Sequence, residues 1–295
     1  MSLFLFRLIA RLPLGWAHAI GGALGLAVYG LSPTYRRRLR ENLAQAGLPV
    51  DRLAFACARE AGKQALETAW VWMRPAADLS RVMRVAGGEA EAAAIASGRP
   101  VIYLTPHLGC FEITAQYCAL SHWRAPRSLT ALYRIPKKQV LRPLVELGRR
   151  RNGVELAPAN LGGVRQLLRA LKRGNAVGIL PDQVPSEGDG VWAPFFGRAA
   201  YTMTLPGKLA SAAGAAVLFI FGERVRDLDG TGAGFRIHLQ ALSEPLSGDA
   251  VSDAARINRD LERLIRTCPT QYLWGYNRYK TPAGAPPPPQ GQGDA

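Results

Sequence analysis

Val101-Ile-Tyr-Leu104 is an unbroken apolar run of β-branched and aromatic residues, and Pro106 stops it two positions later. A run so short, so apolar and so sharply ended reads as a buried strand. His107 follows the proline directly. A strand that delivers a histidine to a turn at the carboxyl edge of a sheet is where open α/β folds carry their chemistry. Glu112 lies five residues beyond His107. Neighbours on one helix face are three or four apart, so a contact between the two needs His107 on the turn, before the helix is regular. A neutral imidazole oriented by a carboxylate is a general base. The competing reading is a histidine that merely caps or packs.

The same alternation of strand and helix continues along the chain. Strands are expected at 128–133, 176–180 and 216–221, amphipathic helices at 51–74, 161–173 and 250–267, and further helices at 89–97 and 205–213. This predicts an α/β fold with a mixed, mostly parallel central sheet flanked by helices. The strand at 176–180 ends in Pro181, Asp182 and Gln183. A second strand thus meets polar residues at the same sheet edge, and Asp182 is a candidate to steer His107 or hold a ligand. Residues 192–204 read as a loop whose Thr202 and Thr204 are able to cap the next helix. The Gly- and Asp-rich stretch 227–234 reads as a hairpin turn.

Between Leu12 and Leu31 there is no Asp, Glu, Lys or Arg. That is about the ~20 residues a bilayer-crossing helix requires. Arg7 and Arg11 precede the stretch, and Arg36, Arg37, Arg38 and Arg40 follow it, so charge does not set its orientation. A spanning anchor and a deeply seated interfacial helix are the preferred readings; a cleaved signal peptide and a soluble buried helix are the others. Residues 1–35 are assigned to this segment, 36–281 to the main domain and 282–295, rich in Pro, Gly and Gln, to a disordered tail.

The 37 basic residues exceed the 22 acidic ones by 15, which calls for an anionic partner. Signatures of nucleic-acid recognition are missing. Arg134, Lys137, Lys138, Arg142 and Arg149 to Arg151 form a basic patch just after a strand, where a substrate-binding loop belongs. Cys57, Cys110, Cys118 and Cys268 form no Cys-x-x-Cys pair, and Cys110 reads as a packing residue rather than a nucleophile. No Gly-x-Ser-x-Gly elbow is present, which argues against a serine esterase.

Four blocks, in order, resemble the lysophospholipid-type acyltransferase superfamily, and within it the late acyltransferases of bacterial lipid A biosynthesis, the lauroyl and myristoyl enzymes. They are Thr-Pro-His107-x4-Glu112; Tyr133-Arg134 after a strand; Pro181-Asp182-Gln183 with Pro194-Phe-Phe-Gly197 and Thr202-x-Thr204; and Pro269-Thr-Gln-Tyr-Leu-Trp274 with Arg278 and Lys280. The match runs to about Lys280; the Asn277-Arg278 run departs from the His-Arg-Arg often found there.

The resemblance implies a glycerol-phosphate acyltransferase-like fold with an N-terminal membrane-associated helix. It implies transfer of a fatty acyl chain from acyl carrier protein to a hydroxyl of a lipid A precursor at the cytoplasmic face of the inner membrane. His107 would be the base and Glu112 its partner. Arg134, Lys137, Asp182, Gln183, Gly197, Arg198, Thr202 and Thr204 would bind substrate. No metal or other cofactor is needed. A related enzyme acting on a phospholipid or aminolipid, and a thioester hydrolase, are the alternatives.

Overall fold

The computed structural model describes residues 2–121, 128–136, 138–139 and 142–289. Its centre is a seven-stranded sheet of order β1-β9-β8-β2-β5-β3-β4. The strands are β1 (Met83–Ala86), β2 (Val101–Leu104), β3 (Leu129–Tyr133), β4 (Glu155–Pro158), β5 (Ala176–Ile179), β8 (Ala216–Val225) and β9 (Gly234–Ala241). Every pairing is parallel except the β8–β9 hairpin, so the expected mixed, mostly parallel α/β architecture is present.

Strand alternation divides the core into two layers. Val101 and Tyr103 enter one layer with Trp72, Ile113 and Tyr117, and Ile102 and Leu104 enter the other with Leu167, Leu171, Leu209 and Leu261. The first layer is built by α4 (Val50–Met73) and α7 (Phe111–Leu120), the second by α9 (Leu161–Lys172), α10 (Leu205–Ala213) and α11 (Ala250–Thr267). Burying an all-apolar strand on both faces is what its sequence demands.

Residues 192–204 are not a loop. β6 (Gly190–Phe195) and β7 (Arg198–Met203) pair antiparallel through a two-residue turn at Phe196 and Gly197. Both turn residues have positive φ, 47° and 75°. Glycine takes this freely; phenylalanine does so at a cost of about 1–3 kcal/mol. The cost is offset locally: Glu262 accepts from the Phe196 N–H at 2.7 Å, and Gln45 donates to its carbonyl at 2.8 Å. Pro194 and the lack of an Asn-Gly or Asp-Gly turn hid this hairpin from pattern reading.

At the N-terminus, α1 (Ser2–Arg11) and α2 (Leu14–Leu31) are separated at Pro13. Among the described residues α2 is the one helix long and apolar enough to cross a membrane. Its glycines form a packing stripe: a Cβ on Gly25 would come within 2.1 Å of the Ala58 carbonyl, and one on Gly21 within 2.8 Å of the Gly62 carbonyl. Through this stripe α2 runs antiparallel along α4. Trp70 Nε1 donates to the Leu12 carbonyl at 3.0 Å, and His18 bonds Glu67 at 3.1 Å. The opposite face, Trp16, Ile20, Leu24, Val28 and Leu31, is exposed and wholly apolar, as are Phe4, Leu5 and Leu8 of α1.

Candidate active site

β2 and β5 are neighbours with Leu104 opposite Ile179. His107 and Asp182 each stand three residues past that pair, so the parallel register alone brings them side by side. Asp182 Oδ1 accepts from His107 Nδ1 at 2.8 Å, and Oδ2 accepts from the His107 backbone N–H at 2.9 Å. This fixes the proton on Nδ1 and leaves Nε2 as the acceptor, which takes a hydrogen bond from the Gln183 amide nitrogen at 3.0 Å that an acceptor hydroxyl would displace. Both side chains are buried, and the Phe111 ring closes over the imidazole at 4.8 Å. Burial pushes the Asp182 carboxyl up, but the charge and hydrogen bonds of His107 outweigh it and hold it below the usual carboxylate value.

The turn that carries His107 is fastened from behind. Its carbonyl accepts from Leu273 N–H at 3.0 Å; Gly109 N–H donates to the Gln271 carbonyl at 3.0 Å; Cys110 N–H donates to the Gly222 carbonyl at 2.7 Å. Gly109 has φ +61°, and a Cβ there would meet the Gly222 carbonyl at 2.1 Å, so only glycine fits. Arg224, on β8, donates to the Gly109 carbonyl at 2.9 Å. It is itself held by the fully buried Glu67, Nε to Oε2 at 2.8 Å. Burial alone would raise the Glu67 carboxyl, but Arg224 and His18 bring it down to about 2.

Glu112 does not partner His107. It sits in the first turn of α7, where Arg149 Nε donates to Oε1 at 3.1 Å and to Oε2 at 3.2 Å, a further Arg149 contact uses Nη2, and Trp72 Nε1 donates to Oε2 at 2.9 Å. The five-residue offset carries its side chain around the helix away from the imidazole. The carboxylate that contacts His107 is therefore Asp182 and not the expected Glu112. Glu112 and Arg149 instead line a narrow slot under α7, together with Tyr103, Phe111, Cys118, Leu129 and Gly178 among others. Cys110 is buried and its thiol is pushed well above its usual value by desolvation, so it is an inert packing group.

The profile of bacterial lipid A biosynthesis acyltransferases matches residues 1–281. The chain belongs to that family. As a lipid A acyltransferase family member it is an enzyme that transfers acyl groups. It is 26% identical over 270 residues to the lipid A biosynthesis palmitoleoyltransferase of Escherichia coli (strain K12), covering 88% of this chain and 84% of that one. It is 27% identical over 228 residues to the lauroyltransferase of the same strain, with 76% and 71% covered. A lipid A biosynthesis acyltransferase of Haemophilus influenzae is 25% identical over 285 residues, with 93% and 85% covered.

Among the remaining sequence-expected positions of this acyltransferase, Gln183 joins His107, but most others serve the hairpin. Thr202 is buried; its hydroxyl donates to the Ala200 carbonyl at 2.9 Å and accepts from Arg278 at 2.7 Å and Asn258 at 3.0 Å. Thr204 precedes α10 without capping it, its hydroxyl lying 3.4 Å from the Asp189 carbonyl. Gly197 makes the turn, and Arg198 stacks over Tyr279 at 4.7 Å. Arg134 is exposed beyond β3. Lys137 lies outside the described residues. Arg149 and Trp72 had no assigned role in the sequence; the one available signal was Arg149 in the basic patch.

Proposed function

We propose that the chain moves a fatty acyl group from the thioester of acyl carrier protein to a hydroxyl of a lipid A precursor, with His107 as general base and Asp182 as its partner. The observation that carries this is the His107–Asp182 pair beside an apolar slot. The acceptor hydroxyl gives its proton to His107 Nε2 while its oxygen attacks the thioester carbonyl. Asp182 stabilises the imidazolium. The tetrahedral oxyanion needs donors. The Gly109 and Cys110 amides are already spent, whereas α7 begins without a side-chain cap, so its first-turn amides are the available ones. Collapse expels the carrier thiolate, which takes the proton back from the imidazolium. The acyl chain enters the slot under α7, which has a volume of ≈ 50 Å³ and must widen to take it, with Glu112 and Arg149 in its lining. An acidic carrier and a phosphorylated lipid both suit a chain of net charge +15.

The enzyme acts at the cytoplasmic face of the inner membrane, with α1 and α2 lying in one leaflet. α2 is tied along its length to α4, which carries Arg52, Arg59, Glu60 and Lys63. For α2 to cross, it would have to drag those charges into hydrocarbon. Its apolar outer face, flanked by Arg7, Arg11, Arg37 and Arg40, suits an anionic surface.

The test is acyl transfer in mixed micelles from acyl carrier protein to a lipid A precursor, followed by mass spectrometry. Transfer by the wild type, and its loss in a His107→Ala protein that is still folded by circular dichroism, is expected. Wild-type transfer by His107→Ala would refute the base.

A further inference from the structure

α2 carries no Asp, Glu, Lys or Arg, and its one imidazole, His18, is buried. An apolar side chain would pack there without needing a hydrogen-bond partner, so the polar ring has to be accounted for. The pairing of the two helices sets what it meets. Gly25 faces Ala58 and Gly62 of α4, and Gly21 faces Gly62 and Lys63. His18, one turn earlier on the same face, meets Glu67, one turn later on α4. Phe235 of β9 holds the ring edge-on at 6.0 Å. We infer that His18 is a positioning residue for the catalytic turn: it orients Glu67, Glu67 holds Arg224, and Arg224 holds the Gly109 carbonyl behind His107. This rests on the reading of His107 as the base.

The path from α2 to the turn is continuous and buried. Glu67 is a carboxylate and only accepts, so His18 Nε2 is the donor at 3.1 Å. The Glu67 Oε2 also accepts from Arg224 Nε at 2.8 Å, and Oε1 accepts from Arg224 Nη2 at 2.5 Å. The same Nη2 donates to the Gly109 carbonyl at 2.9 Å. Arg224 and Gln271 are tied reciprocally. The Arg224 backbone N–H donates to Gln271 Oε1 at 2.9 Å, and Gln271 Nε2 donates to the Arg224 carbonyl at 3.0 Å. The Gln271 carbonyl in turn accepts from Gly109 N–H. Both backbone polar groups of Gly109 thus end on Arg224 or on its partner Gln271.

A competing carboxylate gives the His18 bond its purpose. Glu60 Oε2 is buried, 3.6 Å from Arg224 Nη1, and has no hydrogen-bond partner among the described residues. A buried acceptor without a donor draws the nearest cation. A guanidinium turned toward Glu60 would take Nη2 off the Gly109 carbonyl. The His18 bond keeps the Glu67 carboxylate where its two oxygens match Nε and Nη2, so the fork stays bidentate. The rate is sensitive to such a shift, since misplacing a reacting group by about 1 Å costs about 10²-fold.

Hydrogen exchange of the full-length protein in detergent micelles, read by mass spectrometry, tests the brace. The amides of His107, Gly109 and Cys110 donate to Asp182, Gln271 and Gly222, so they exchange only when the turn opens. In His18→Leu they should exchange about 10-fold faster, the worth of one hydrogen bond to a charged group. The β3 and β4 amides should keep their wild-type rates. The kcat of acyl transfer should fall by a similar factor with KM unchanged. His18→Gln, whose amide nitrogen reaches as far as Nε2, should restore both; His18→Asn, one bond shorter, should not. Adding Glu60→Gln to His18→Leu should also restore both, because the competing charge is gone. Wild-type exchange at the turn in His18→Leu and His18→Asn overturns the proposal. So does a rise shared equally by β3 and β4, a His18→Gln that behaves like His18→Leu, or a double variant that stays fast. Exchange needs no turnover. The expected exchange pattern in a protein without transfer rejects the proposed function alone, and transfer with unmoved exchange rejects the brace alone.

Discussion

The two flanks of the catalytic turn differ in kind. On the β5–β3 side lies an apolar slot whose one ionic feature, Glu112 with Arg149, is closed on itself. On the β8 side lies a wide polar cavity lined by Arg59, Arg224 and Arg226 among others. In the proposed reaction the base has to sit beside the acyl chain while its turn is braced from the other side. The sheet makes this possible because β2 is central: its neighbour β5 provides Asp182, and its other neighbour β8 provides Arg224.

The largest effects are expected at the base. Loss of general-base catalysis is worth about 10²–10⁴ in rate. His107→Ala should therefore reduce kcat by about that range, measured by product formation at saturating acceptor. Asp182→Asn should fall within the same range and alter the pH–rate profile, because the imidazole loses the charge that stabilises its protonated form. Glu112→Gln breaks the contrast between the two carboxylates. It should lower the rate through the geometry of the slot while leaving the acidic limb of the pH–rate profile where it is. A displaced limb would return Glu112 to the role of His107 partner.

Next comes stability. Glu67 is held at about 2 against an ordinary value of 4.5. A depressed carboxyl contributes stability that is present above pH 4.5 and is lost as pH falls toward 2. Denaturant unfolding across that window should reveal the decline. Glu67→Gln should flatten it, while destabilising the protein by about 3–5 kcal/mol at neutral pH by stranding Arg224. A wild-type pH dependence in Glu67→Gln would contradict the buried pair.

The smallest effect sharpens the slot. A Cβ at Gly178 meets Leu129 and Ala131 only at ordinary contact, 3.8 and 3.9 Å. Gly178→Ala should fold normally and Gly178→Leu should fill the slot. Mass spectrometry of products should then show a shorter preferred acyl chain. Unchanged chain length in Gly178→Leu would move the acyl chain elsewhere.

How much was legible in the sequence follows from the range of the forces involved. β2, β5, α10 and α11 were readable because apolar runs, helical periodicity and the stops at Pro106 and Pro181 are local signals. His107 and Asp182 were both picked out as polar residues at strand ends. Which carboxylate would meet the imidazole was not readable, because it depends on the register of β2 with β5, a contact 75 residues apart in the chain. Arg149 was one basic residue among several until α8 (Arg142–Arg149) brought it onto Glu112. Gly21 and Gly25 of α2 face Ala58 and Gly62 of α4, a pairing that no local window of sequence contains.

The central claim is that Asp182, and not Glu112, sustains the base. Measuring kcat against pH for Asp182→Asn and Glu112→Gln side by side tests it most directly. The account predicts a displaced acidic limb and a loss of about 10²–10⁴ in Asp182→Asn, and an undisplaced limb in Glu112→Gln. A wild-type profile in Asp182→Asn, with the displacement found in Glu112→Gln, would contradict it.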